Sequence, residues 1–127
     1  MNTLNKNESL KSKTLIRLLF SSKTANFAYP FKVLYRVLGP DEVVRAQMLI
    51  SVGKRKIRTA VGRNRIKRLF REAYRLNRKP LLEILDKKDM NMAIAFVYVG
   101  DKDPDYQFIE DRVKKSIEAL VESITPI

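Results

Sequence analysis

Apolar residues recur along this chain with two different periods, and the switches between them mark out its elements. Leu15, Ile16, Leu19 and Phe20 fall on one face of a 3.6-residue repeat. That predicts a helix from Ser9 or Ser12 to about Ser21, with either serine as N-cap. From Phe31 to Leu38 the period drops to two, with Phe31, Val33, Tyr35 and Val37 on one side and Lys32, Leu34, Arg36 and Leu38 on the other. Gly39-Pro40-Asp41-Glu42 is a turn signal. Val43 to Val52 alternates again, with Val44, Ala46, Met48, Ile50 and Val52 inward, so the two strands are expected to pair as a hairpin.

Gly53 to Arg58 is a cationic loop or a short strand. A helix follows, starting between Thr59 and Asn64. Thr59 is the preferred N-cap, although it places Gly62 inside the helix at about 1 kcal/mol. Gly62 falls beside the apolar stripe, where a missing side chain permits close packing. The helix runs to about Arg78, and Pro80 either ends it or opens a short new one through Leu81, Leu82, Ile84 and Leu85. Met92 to Val99 is almost wholly apolar, as a strand buried on both faces would be. After a loop from Gly100 to Asp105, the spacing of Ile109, Val113, Ile117, Leu120 and Val121 predicts a last helix from Tyr106 to Ser123. The sum is one α+β domain, residues 9–127, with helices packed on one small sheet, preceded by a flexible tail over residues 1–8.

Length and composition narrow the chemistry. A chain of 127 residues suits one core, and 45% hydrophobic residues is ordinary for a folded protein. No apolar run approaches the roughly 20 residues of a membrane helix, and the start lacks the apolar stretch of a signal peptide. With no cysteine there is no disulfide framework, which fits a cytoplasmic protein. With no histidine the commonest general base and metal ligand is missing. No catalytic residue and no metal ligand is assigned.

Charge changes the picture most. Twelve of the 26 basic residues lie between Gly53 and Lys79 against one acid, Glu72, so this window carries +11 of the formal +12. With Ile66 at zero on a helical wheel, Phe70, Ala73 and Asn77 lie within about 40°, and Leu69 and Leu76 flank them. The opposite arc holds Lys67, Arg78, Arg71, Asn64, Arg75 and Arg68, with Arg65 near its edge. One face is thus free to pack on the sheet while the other presents guanidinium groups suited to bidentate contact with phosphate. A solvated, salt-laced helix would need interleaved acids. A membrane surface or an acidic protein would also accept a basic amphipathic helix. A phosphate backbone is the dense anion such a block most commonly meets.

One stretch is specific beyond its charge. Ala60-Val61-Gly62-Arg63-Asn64-Arg65-Ile66-Lys67-Arg68, preceded by Ile50-Ser51-Val52-Gly53-Lys54-Arg55-Lys56 and followed by Leu69-Phe70-Arg71-Glu72-Ala73-Tyr74-Arg75, closely resembles the signature of the protein component of bacterial ribonuclease P. At lower specificity the resemblance extends from about Leu10 to Val121. It implies an α-β-β-β-α-β-α sandwich on a four-stranded sheet with a left-handed β-α-β crossover. It implies a protein subunit that pairs with a large catalytic RNA to remove the 5′ leader of precursor tRNA. Hydrolysis is done by the RNA with Mg²⁺, bound mainly by the RNA, and the protein alone is not catalytic. One protein per RNA, monomeric by itself, is the implied stoichiometry. By match, Lys54, Arg55, Arg63, Asn64, Arg65, Lys67, Arg68 and Arg71 contact the RNA subunit.

The resemblance also implies a leader-binding cleft between the first helix and the sheet, with Ile16, Phe20 and Tyr35 at its matching positions. Ile16 stands where the family commonly has Phe, and Arg58 where it usually has Gly. Phe20 and Tyr35 lie on apolar faces, where packing into a core is the commoner role. A structural RNA-binding protein, such as a ribosomal component, is the alternative that explains the charge equally. A DNA-binding helix is weaker, because no helix-turn-helix or dimerising heptad is recognisable.

Overall fold

The computed structural model describes residues 8–21, 25–39 and 45–124. In chain order the elements are α1 (Lys13–Ser21), β1 (Ala25–Ala28), β2 (Phe31–Leu38), β3 (Ala46–Val52), α2 (Ala60–Asn77), α3 (Lys79–Lys88), β4 (Asn91–Tyr98) and α4 (Tyr106–Ile124). The expected α+β class and four-stranded sheet are present. Ser12 is the serine that caps α1, its Oγ accepting from Leu15 N at 3.3 Å. Pro80 sits in the first turn of α3, where its missing N–H is harmless.

The expected hairpin between β2 and β3 does not form. The strand order is β1-β2-β4-β3, so β4 separates them. β4 pairs antiparallel with β2 and parallel with β3. β4 is the most apolar strand of the chain, and its place between β2 and β3 sets one face under α1 and the other under the remaining helices, which buries both. β2 instead forms its hairpin with β1, a four-residue strand that the sequence pattern missed because Ala25-Asn26-Phe27-Ala28 is too short to display a period. Val43, Val44 and residues 40–42 of the turn signal lie outside the described residues, as do residues 1–7 of the expected tail. Glu8, the last residue of that tail, is buried, and Leu10 N donates to Met48 O at 2.9 Å, so the start of the described chain lies against β3.

Two apolar clusters divide the sheet by face. Leu34, Ala93 and Ala95 pack with Leu10 and Leu19 under α1. Phe31, Val33, Ala46, Met48, Ile50, Val52, Met92, Ile94 and Phe96 face the layer of α2, α3 and α4. Alternation therefore reads correctly along β2, except that Val37 is 51% exposed near the end of the strand. Asn26 Nδ2 donates to Ser123 Oγ at 2.9 Å and ties β1 to α4.

An aromatic cluster fixes how α2 sits on the sheet. Phe70 lies 4.8 Å from Phe96, 5.4 Å from Phe31 and 6.0 Å from Tyr74, between ring centroids. Such pairs contribute about 0.5–1.5 kcal/mol each beyond area burial. Tyr74 is fully buried, and burial pushes its phenol above the usual range. With Ile66, Phe70, Ala73 and Tyr74 buried, the opposite arc of α2 is turned to solvent.

Candidate nucleic-acid interface

The cationic stretch is built as a pinned loop leading into a capped helix. In the loop after β3, Lys56 Nζ donates to Val99 O at 3.0 Å and Ile57 packs against the core. No strand forms between Gly53 and Arg58. Thr59 is the N-cap, with φ −93° and ψ 143°, and its Oγ1 accepts from Gly62 N at 3.0 Å. A Cβ on Gly62 would lie 2.9 Å from that Oγ1 and 3.1 Å from Ile57 Cγ2, so the expected close packing is met here.

The eight residues matched to RNA-subunit contact do not stand alike. Lys54, Arg55, Asn64, Arg68 and Arg71 are exposed and Lys67 is half-exposed. Arg63 is partly occupied within the protein: Nη1 donates to Ile57 O at 2.9 Å and Arg58 O at 3.0 Å, clamping the loop to the first turn of α2. Arg65 pairs with Asp103 and donates to Pro104 O at 2.7 Å, clamping α2 to the loop before α4. Glu72 is held by Arg75 at 2.6 Å, and that hydrogen bond keeps its carboxyl below the usual carboxylate range. Arg78, expected on the outer arc, is instead buried. The helix ends at Asn77, and the bend into α3 turns the Arg78 side chain inward onto Glu8 at 2.9 Å.

The three leader-matched residues are divided. Ile16 packs, half-buried, in the cluster between α1 and the sheet, and Phe20 at the end of α1 is 48% exposed. Tyr35 packs on the opposite face, against the core under α2 and α4. Its neighbour Leu34 faces α1, and successive strand residues point opposite ways. Tyr35 and Phe20 therefore do not line one cleft. The α1 face of β2 carries Lys32 and Arg36 instead, both exposed. Alternation along β2 already sets Lys32 and Arg36 opposite Tyr35, which the resemblance alone assigns to the leader. Among the described residues no group of three or more acidic side chains is arranged to hold a metal ion. Among them, too, no helix is long and apolar enough to cross a membrane.

Fold and site together define a small α+β protein that presents one cationic helix face, backed by an aromatic core, to a polyanion. The Ribonuclease P family pattern matches residues 4–121. The ribonuclease P protein component of Porphyromonas gingivalis (strain W83) is 40% identical over 114 residues, covering 90% of this chain and 83% of that one. That of Chlorobium phaeobacteroides is 32% identical over 126 residues, covering 91% and 86%. The solved ribonuclease P protein of Staphylococcus aureus shares the fold, with a TM-score of 0.70 at 19% identity over 89% of this chain and 94% of that chain. The chain belongs to the ribonuclease P protein component family. It is a subunit of the ribonuclease P holoenzyme, acting in 5′ processing of tRNA with ribonuclease P RNA as its partner. Nothing in these similarities favours the ribosomal alternative.

Proposed function

We propose that this subunit divides its work between two surfaces. The loop 53–58 and the outer arc of α2 grip phosphates of the RNA subunit. The face of the sheet beside α1 carries the 5′ leader of precursor tRNA. The observation that carries the first half is the state of Arg68 and Arg71. Both are exposed on a helix whose other face is locked into the core, and neither makes a hydrogen bond or ion pair among the described residues. The like-charge repulsion along that arc is relieved when phosphate neutralises it. Support for the second half is the exposed ring of Phe20 beside Ile16, with Lys32 and Arg36 along the same face of the sheet. A single strand is held by an aromatic platform next to cations that follow its backbone. Tyr35 is left out of this surface.

In this reading the Mg²⁺ of the reaction is held mainly by the RNA, one protein serves each RNA, and the protein works as a monomer in the cytoplasm. The chain itself has no histidine or cysteine to move protons near neutral pH. Its contribution is to add positive charge where two RNAs meet. The test is cleavage of precursor tRNA by the protein, by a bacterial ribonuclease P RNA, and by both, at low and high Mg²⁺. The expected result is no cleavage by protein alone, a gain from the protein at low Mg²⁺, and a smaller gain at high Mg²⁺. Metal-dependent cleavage by the RNA-free protein would overturn the reading.

A further inference from the structure

Beside the outer arc of α2, at the start of α4, lies a recess of about 600 Å³ lined by Arg68, Leu69, Arg71, Glu72, Arg75 and Tyr106. Its size lies within the range that holds small ligands. Its chemistry is unlike the rest of the cationic arc, because it combines a floor with charge. Leu69 and Tyr106, both half-buried against the core, supply an apolar and aromatic surface. The Tyr106 hydroxyl donates to Glu110 Oε2 at 3.2 Å, and the same oxygen accepts from Asn77 Nδ2 at 3.2 Å, so the ring is held in one orientation. Glu72 would repel an anion if it were free, but Arg75 holds it through contacts of 2.6 Å and 3.1 Å. That leaves Arg68 and Arg71, three positions apart on one helix face and unpaired among the described residues, at the rim.

We propose that this recess receives one unpaired nucleotide of the RNA subunit, its base lying against Tyr106 and Leu69 and its phosphate held by Arg68 and Arg71. The inference rests on the RNA-subunit reading above and adds a base-accepting site to it. A base-paired stem would offer this face phosphates alone and leave the aromatic floor unused. A flipped-out or looped base uses both, which is how proteins commonly meet single-stranded RNA. A free nucleotide has the same chemistry, and the test separates the two sources.

The chain has no tryptophan, so Tyr106→Trp introduces a single indole whose emission reports stacking. Titration with ribonuclease P RNA is expected to quench it strongly as the complex forms. Phe27→Trp, on the exposed edge strand β1, should stay unquenched. Adenosine monophosphate at the same concentration should leave both unchanged. Tyr106→Leu, which keeps apolar bulk without the ring, is expected to weaken RNA-subunit binding roughly 5- to 100-fold with an unchanged salt slope. Assembly with unquenched emission from Tyr106→Trp, wild-type affinity for Tyr106→Leu, or equal quenching by the free mononucleotide would each overturn the proposal. If Tyr106→Trp does not melt cooperatively, ultraviolet cross-linking of the wild-type complex replaces it. A nucleotide adduct on the peptide containing Tyr106 then supports the site, and adducts confined to other peptides overturn it. Failure of the wild-type protein to bind the RNA would be a failure of the RNA-subunit reading, seen before any variant is made.

Discussion

The carboxylate of Glu8 and the guanidinium of Arg78 form an ion pair at 2.9 Å across 70 positions of the chain, with side chains only 8% and 9% exposed. Arg78 Nη1 also donates to Arg75 O at 2.6 Å, so the pair closes the junction between α2 and α3. Removing one partner strands a buried charge. Glu8→Ala or Arg78→Ala is therefore expected to destabilise the fold by about 3–5 kcal/mol. Replacing both with apolar residues, Glu8→Leu with Arg78→Met, should recover much of that loss. Urea unfolding of the three variants checks this. Single variants within about 0.5 kcal/mol of wild type would mean that the pair is solvated in solution.

Arg68 and Arg71 point away from the core, so their removal should spare the fold. Arg68→Ala and Arg71→Ala are each expected to weaken binding to the RNA subunit and to lower the salt dependence by about one ion per lost phosphate contact. Arg63→Ala should behave differently. It frees the carbonyls of Ile57 and Arg58 and loosens the loop, so it should also lower thermal stability. Filter binding across a salt series, beside melting curves, distinguishes the two effects.

The opposite faces occupied by Phe20 and Tyr35 predict opposite phenotypes. Phe20→Ala removes an exposed ring and should reduce affinity for leader-bearing precursor tRNA by about 1–3 kcal/mol while melting like wild type. Tyr35→Ala opens the half-buried edge of the core and should lower the melting temperature, weakening every ligand alike. Ile16→Phe adds a ring beside Phe20 and should leave leader affinity equal or tighter. Affinities for precursor and mature tRNA measured side by side decide between these outcomes. A leader-specific loss in Tyr35→Ala at unchanged stability would return Tyr35 to the cleft.

Alkaline pH should loosen the end of β4. The Tyr98 phenol donates to Lys102 O at 2.9 Å, and a Cβ on Gly100 would come within 2.6 Å of its oxygen, so the ring is enclosed by the loop. Burial, with the negative charges of Asp101 and Asp103 adding to it, pushes Tyr98 up to about 12 from 10.0. A raised folded value means that the neutral phenol stabilises the fold fully below pH 10, and that this contribution is lost as pH rises from 10 through 12. Tyr98→Phe should be about 1 kcal/mol less stable at pH 7 for want of the hydrogen bond, yet lose less stability than wild type between those limits. Parallel urea melts across the range would show whether the two curves converge.

Much of the helical architecture is legible in local pattern. The Thr59 cap, the inward stripe of Ile66, Phe70 and Ala73 and the outward Arg68 and Arg71 follow from residue types three and four apart. The rules that place them act within one or two turns of chain. The apolar run of β4 likewise signals a strand covered on both faces. Alternation in β2 assigns Phe31 and Leu34 to opposite sides, although it does not say which side α1 would cover.

That choice belongs to the tertiary structure, and so does every feature that depends on a distant partner. Alternation says that a strand has two faces, not which strand lies beside it. Hence β4 comes between β2 and β3 where proximity in sequence suggests a hairpin. Tyr35 packs at the edge of the core because it shares its face of β2 with Phe31 and Val33, which the helical layer covers, while Phe20 stays open. Arg78, a surface residue on any helical wheel, is buried because the helix stops one residue earlier and Glu8 arrives from the far end of the chain. Tyr106 reaches the cationic arc only because the start of α4 packs beside α2. Local sequence determines the longer elements and, Arg78 apart, the charged and apolar faces of α2, whereas the short β1 shows only through its pairing with β2. Long-range packing decides which of those surfaces remain free to meet RNA.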